Sequence, residues 1–383
     1  MSGKTVLILG AGTGGLVTAH RLRRTLNKEH RVVLVDRSPI YSFAAAYTGV
    51  MLGRRTAARI SRDLRKLDKK GIEFVIGEVV KIEPERNTVV LDRDELRYDY
   101  LVIALGAQFS SEEVPGLNKA YTYYHVDGAE GLRDKLTEFE GGRVAVVVSG
   151  LPYVYPAAPY EGALLLEDHF RKKKMRDRVE LHVYTPEAAP LPVAGPEIGE
   201  QALALLESRG IGFSGGVTPK SVNHATGQIN FDDGSDAAFD LLVATPIHRV
   251  PDALVASGFA VEGGWVPVER ETMITNFEDV YCIGDAGQIM LECGLPLPKA
   301  GVFAHGESEV VCRNIAAEIR GGPPIWAFGG QGAFFLETGG GKAAYISGDF
   351  YTEPTPDLKM RDPSRMWGLA KSGFERVWLY RWF

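Results

Sequence analysis

Gly10, Gly12 and Gly15, with Asp36 after them, are the residues of this chain whose types and spacing prescribe chemistry most clearly. Gly10 ends an apolar run, 6–9, and permits a sharp turn. Gly12 leaves room for a phosphate against the backbone, and Gly15 lets the next helix lie close to the strand. That helix, expected over 16–26, brings free N–H groups and the positive end of its dipole to the same point, which suits a pyrophosphate. A second apolar run, 32–35, ends in Asp36, about 20 residues past the last glycine, where a carboxylate accepts ribose hydroxyls. Strand, turn, helix, strand and acid in this order describe a dinucleotide-binding unit rather than a glycine-rich surface turn.

The elements around this unit repeat its theme. Residues 98–107 form a buried strand ending in small residues, 239–246 have the same form, and 280–286 form a third strand that ends in Gly284 and Asp285. Residues 143–149 read as the first strand of another α/β unit, 182–185 as its second strand and 197–208 as a helix. Such alternation builds parallel sheets with helices on both faces. At 383 residues, 45% hydrophobic and 24% charged, the chain can fill two or three cores. Its net charge of −6 gives no reason to expect nucleic acid. No apolar run reaches the roughly 18 residues of a spanning helix. The first strand begins at Val6, which leaves no room for a signal peptide and points to the cytoplasm. Cys282, Cys293 and Cys312 make no CxxC pair and the eight histidines are scattered, so no metal site is expected.

Taken together, residues 10–15, 98–107, 280–286, 296–307 and the tail 374–383 resemble the flavoproteins of the two-dinucleotide-domain oxidoreductase superfamily. The chain is most similar to sulfide:quinone oxidoreductases and to the flavoprotein subunit of flavocytochrome c sulfide dehydrogenase. The 296–307 stretch and the aromatic tail are shared with the related type II NADH dehydrogenases. The resemblance implies an α/β fold of the glutathione reductase type, with two Rossmann-like domains and a C-terminal segment. It implies a discontinuous FAD-binding domain over 1–112 and 247–322, a second nucleotide-binding-like domain over 113–246, and a C-terminal segment over 323–383 that closes over the flavin.

It also implies FAD. Gly10, Gly12, Thr13, Gly14, Gly15, Asp36 and Arg37 would hold the ADP half, and Val79 or Val80 would lie near the adenine. Ala104 and Gly106 would border the cofactor, and Gly284 and Asp285 would bind the ribityl-phosphate side. Lys299 and the helix starting near Ala300 would face the flavin pyrimidine, where a cation and a helix N-terminus stabilise negative charge. The cysteine that tethers the flavin in flavocytochrome c has no counterpart in Tyr41-Ser42-Phe43-Ala44, so the FAD is expected to be noncovalent.

Two departures from the family shape the expected chemistry. The second unit has no glycine turn: Pro152, Pro156 and Pro159 occupy it, and proline has no N–H with which to cradle phosphate. NADH and NADPH should therefore bind poorly, as in the sulfide branch and unlike the type II NADH dehydrogenases. The redox cysteines of the sulfide branch fall on Tyr155 and on or near Phe334, and neither side chain can form a disulfide or carry a persulfide. Tyr153, Tyr155, Tyr160, Phe334 and Phe335 are expected to line an altered pocket able to stack on a flat carrier such as a quinone, with ordinary packing the alternative. Glu161, at the start of the next helix, is the titratable candidate for proton transfer, with Tyr155 and Lys299 as the other catalytic candidates; helix capping is the alternative for Glu161.

The tail 366–383 crowds aromatic and basic residues together. Ala370, Phe374 and Trp378 share one helical face, and Met366, Leu369, Gly373 and Val377 another. This reads as a peripheral contact with the inner face of the cell membrane; docking on the protein's own core or on a homodimer partner is the alternative. The function expected is an FAD-dependent oxidoreductase passing electrons from a small-molecule donor to a quinone or other carrier without a cysteine relay. A non-catalytic, flavin-retaining electron-transfer subunit and a type II NADH dehydrogenase-like enzyme stand as alternatives.

Overall fold

A computed structural model of the chain describes residues 3–383. It opens with β1 (Thr5–Leu9), α1 (Thr13–Thr25) and β2 (Arg31–Asp36), followed by β3 (Glu73–Ile76) and β4 (Tyr100–Ile103). The core residues of β1, β2 and β4 are buried on both faces, which is why these strands read as unbroken apolar runs rather than alternating ones. The helix begins three residues before the expected start, because Thr13, Gly14 and Gly15 are already helical.

The chain then builds a second sheet from β5 (Gly142–Val148), β6 (Val179–Thr185), β7 (Ile211–Gly215) and β8 (Leu241–Thr245), all parallel, in the order β7-β6-β5-β8. Helix α2 (Ala158–Lys172) connects β5 to β6, and α3 (Pro196–Glu207) connects β6 to β7. The chain returns with β9 (Val280–Cys282), which completes the first sheet in the order β9-β4-β1-β2-β3, also parallel. In each sheet the strand order reverses beside the first strand of the unit. Ligands of open α/β sheets bind in the crevice at the carboxyl ends of the strands there.

Helix α4 (Gly301–Ile319) packs along α1. Its Ser308 hydroxyl donates to the Gly14 carbonyl (2.9 Å) and its Cys312 thiol to that of Thr18 (3.4 Å). The C-terminal segment is an antiparallel meander, β10 (Gln331–Gly339), β11 (Lys342–Asp349) and β12 (Asp357–Ser364), followed by α5 (Arg365–Trp382). One apolar cluster joins α1, α2, α4, β10 and the inner face of α5, so this segment shares a core with both sheets.

Candidate functional site

The carboxyl ends of β1 and β4 form a cradle. Gly10 has a φ of +94°, and a Cβ on it would lie 2.3 Å from the Ala104 carbonyl oxygen, so only glycine allows the two strand ends to meet. A Cβ on Gly15 would lie 1.8 Å from the Gly10 carbonyl oxygen, which keeps helix against strand. The contrast is Gly12, whose Cβ would meet nothing within 4 Å: it borders open space. Helix α1 has no side-chain cap, and neither does α4, whose N-cap is Ala300. The two helix starts adjoin, since a Cβ on Gly301 would sit 3.3 Å from Thr13 Oγ1. Uncapped N-termini facing one space attract negative charge.

Asp36 joins the rim of this cradle. Its carboxylate accepts the Ala11 N–H (2.7 Å) and the Ser38 N–H (2.8 Å). Arg37 is exposed. Val80 sits half-exposed in a β-bulge, and it is Val79 that packs inward. Gly106 and Gly284 both have a φ of +69°, and the Cβ position of Gly106 is open. The Gly284 N–H donates to Glu307 (2.6 Å), a buried carboxyl on α4 that burial pushes up to about 7. Asp285 is raised in the same way, although the nearby Lys299 opposes the shift.

The Lys299 ammonium donates to the carbonyls of Asp285 (2.6 Å) and Gly287 (2.9 Å) and lies 3.6 Å over the Trp265 ring. It is buried, and that burial pulls it down to about 8. Lys299 thereby ties down the loop after β9.

Beside the cradle lies a cavity of about 240 Å³ with almost wholly apolar walls. Tyr153, Tyr155 and Phe334 line it, as expected; Tyr160 and Phe335 do not. The side chain of Tyr160 is fully buried behind the cavity, and Phe335, the next residue along β10, faces the opposite side toward Tyr345 and Trp367. Tyr155 adopts a φ of +56°, uncommon for an aromatic residue, and its N–H donates to the Lys299 carbonyl (2.7 Å). At the start of α2, the Ala158 N–H is taken by the Tyr155 carbonyl (2.8 Å) and Pro159 has none. This turn cannot present a phosphate nest.

Glu161 is buried between α2 and β10. It accepts the Glu337 N–H (3.0 Å) and lies 3.3 Å from the Tyr155 hydroxyl, which also donates to the Phe335 carbonyl (2.6 Å). Burial raises it to about 7, with Lys371 pulling the other way. Lys371 of α5 pairs with Glu337 and with Glu375 (2.9 Å), and Glu375 pairs with Arg55 (3.2 Å). This buried group of charges lay outside the sequence expectations, although Lys371 and Glu375 stand one helical turn apart.

One face of the tail docks on the protein's own core. Trp378 donates its indole N–H to Tyr41 (2.8 Å) and stacks on Phe43, while Trp382 packs against His20. Phe374 is half-exposed beside Phe43. The opposite stripe of α5 faces outward: Met366, Leu369 (73% exposed), Val377 and Tyr380 (88% exposed). Arg365, Arg376 and Arg381 are exposed alongside, and the one acidic residue of the helix, Glu375, is buried. Among the described residues no helix is long and apolar enough to cross a membrane, and no cluster of His, Cys, Asp and Glu suits a metal.

All three cysteines are free thiols. Cys282 is buried on β9 as expected, and Cys312 is buried between α4 and α1. Burial raises both thiols, Cys312 to about 12, far from a reactive thiolate.

Comparison with known proteins gives the same picture. The family model for pyridine nucleotide-disulphide oxidoreductases matches residues 4–294. The chain is 25% identical over 372 residues to the mitochondrial sulfide:quinone oxidoreductase of Mus musculus, covering 91% of this chain and 79% of that one. It is 24% identical over 344 residues to a type II NADH:quinone oxidoreductase of Staphylococcus saprophyticus, covering 84% of each. The solved sulfide:quinone oxidoreductase of Aquifex aeolicus superposes with a TM-score of 0.90 at 22% identity, over 99% of this chain and 91% of that one.

Proposed function

The chain belongs to the pyridine nucleotide-disulphide oxidoreductase family and is an FAD-dependent oxidoreductase; on that premise we propose that it passes electrons from a small-molecule donor to a quinone. The observation that carries this is the cradle. Open space stands at Gly12, two uncapped helix N-termini adjoin beside it, and a carboxylate sits at its rim, which fits a flavin dinucleotide. Gly10, Gly12, Thr13, Gly14 and Gly15 would hold the pyrophosphate and Asp36 the ribose. Asp285 and the start of α4 at Ala300 would hold the flavin end. Bound FAD supplies a two-electron carrier between donor and acceptor. The segment Tyr41–Phe43 is occupied in docking α5, which agrees with noncovalent attachment.

The chain's own groups supply position and protons. The N-terminus of α4 favours negative charge next to it, and Lys299 fixes the loop that carries Asp285. A quinone that takes up two electrons also takes up two protons. Glu161 titrates near neutrality and reaches the cavity through the Tyr155 hydroxyl, so it can hold a proton and pass it on at that wall. With Tyr155 and Phe334 at the cavity wall, neither of which carries sulfur, this reading has electrons reach the flavin without a persulfide relay.

The type II NADH:quinone oxidoreductases are a second reading, favoured by their similarity along the chain. The proline-filled start of α2 weighs against it. We further propose that the outward stripe of α5, apolar and flanked by arginines, rests on a membrane surface where a quinone is available. Anaerobic mixing of the yellow protein with sulfide, NADH, NADPH and a quinol in turn, with the flavin absorption followed, tests donor and acceptor together. Fast bleaching by NADH would promote the second reading.

A further inference from the structure

The chain turns sharply after β9. The Ile283 N–H still donates to the Ile103 carbonyl (2.9 Å), so the chain stays in register with β4 up to that residue. Gly284 then takes a φ of +69°, and the loop 284–287 runs close over α4: a Cβ on Gly284 would lie 3.2 Å from the Cβ of Ala304. Loop backbone in such a place must find partners for its N–H and C=O groups. Two side chains supply them. Lys299, just before α4, takes the Asp285 and Gly287 carbonyls. Glu307, in the second turn of α4, takes the Gly284 N–H (2.6 Å). A cation on the carbonyls and a carboxyl on the N–H thus hold the loop to one helix.

A carboxyl is a costly residue at the position of Glu307. It is 4% exposed, and burial pushes it up to about 7. A leucine would fill the same space without that cost. Among the described residues, the bond to Gly284 is the one hydrogen bond that the Glu307 side chain makes. A charged acceptor on a backbone N–H is stronger than a neutral one, which gives the acid a use there. The side chain carried by the fixed loop is Asp285. Lys299 acts on its carboxyl through charge alone, and no hydrogen bond within the chain occupies it, so its oxygens are left for a ligand.

We propose that Glu307 is a positioning residue for FAD: its carboxylate fixes the Gly284 N–H and so aims the carboxylate of Asp285 at the flavin end of the cofactor. Glu307 acts through this loop and contributes nothing to the ADP half, which residues 10–15 and Asp36 hold. The inference rests on the assignment of Asp285 to the flavin end.

The holoprotein is diluted at about pH 8, which keeps Glu307 ionised. Released FAD, read by its fluorescence, gives the affinity for FAD, and displacement by added ADP gives that for ADP. Glu307→Leu should weaken FAD at least tenfold and leave ADP within threefold of the parent. Glu307→Gln keeps an acceptor for the N–H and should stay within threefold of the parent for both ligands. A residue that only stabilised the fold would weaken both ligands alike. Should Glu307→Leu not fold, Glu307→Ala removes the acceptor without adding apolar bulk, with the same expectation. Unchanged FAD affinity, equal loss of FAD and ADP, or a glutamine variant as weak as the leucine one overturns the proposal. Asp285→Ala tells this failure from that of the assignment beneath it. If Asp285→Ala binds FAD as tightly as the parent, Asp285 does not hold the flavin end and the proposal falls with it. Weaker FAD in Asp285→Ala with no change in Glu307→Leu removes the role of Glu307 alone.

Discussion

Replacing Lys371 by methionine removes the central cation of the buried charge group that joins α5 to β10 and α2. Lys371 and Glu375 are each 8% exposed at the side chain, so solvent screens their pairing weakly. Removing one partner of a buried pair costs about 3–5 kcal/mol, because the other charge is left uncompensated. Arg55 stays 3.2 Å from Glu375 and offsets one of the two carboxylates, which points to the lower end, about 3 kcal/mol. At roughly 2 °C per kcal/mol, the unfolding midpoint should fall by about 6 °C. The loss should also depend on pH. Glu161 is raised by burial, so its contribution to stability is present below its unfolded value and is lost as the pH climbs through about 7. Lys371 holds Glu161 down, and without it the folded value rises further. Lys371→Met should therefore cost more at about pH 8 than at about pH 5. Differential scanning calorimetry at both pH values measures this, with Lys371→Met/Glu337→Gln expected to recover part of the loss. A loss below about 1 kcal/mol, or one equal at both pH values, would mean that Lys371 does not hold this charge group together.

Further outcomes follow from the same geometry. Gly12→Val should give a folded, colourless protein, because its side chain would enter the open space of the cradle; FAD content after purification and reconstitution checks this. NADH and NADPH should reduce the flavin far more slowly than they reduce a dedicated NADH dehydrogenase, measured by anaerobic stopped flow. Sulfide should reduce the flavin through no protein persulfide, and Cys293→Ser and Cys312→Ser should behave as the parent; mass spectrometry for added sulfur decides. Glu161→Gln should flatten the pH profile of quinone reduction near neutrality while leaving FAD content unchanged, whereas an unchanged profile would assign Glu161 a packing role only.

The first unit was legible because its information is local: Gly10, Gly12, Gly15 and Asp36 lie within one strand–turn–helix–strand run, and each acts on the backbone beside it. The proline turn was legible for the same reason, since a missing N–H is a property of the residue itself. The charge group was not, because it is assembled across the chain. Glu161 meets Glu337 176 residues away, and a lysine in a basic, aromatic tail gives no sign that it will be buried. The backbone carbonyls that hold the Lys299 ammonium are likewise contacts that spacing alone cannot locate. Phe335 was assigned to the cavity although its neighbour Phe334 already was, and alternation along a strand allows only one of the two. The tail periodicity did not pick out the inner face: of Ala370, Phe374 and Trp378 only Trp378 is buried, and the residues that turn inward are Lys371, Glu375, Trp378, Leu379 and Trp382, seated against partners such as Tyr41, Phe43 and His20 far away in sequence.

Transfer of electrons from reduced FAD on this chain to a quinone tests the proposed function most directly. The holoprotein, reduced anaerobically with dithionite and freed of excess reductant, is mixed with decylubiquinone or with NAD⁺ while the blue flavin absorption band is followed. Rapid return of the yellow colour is expected with the quinone and little with NAD⁺. Rapid return with NAD⁺, or none with the quinone, would contradict the proposed function.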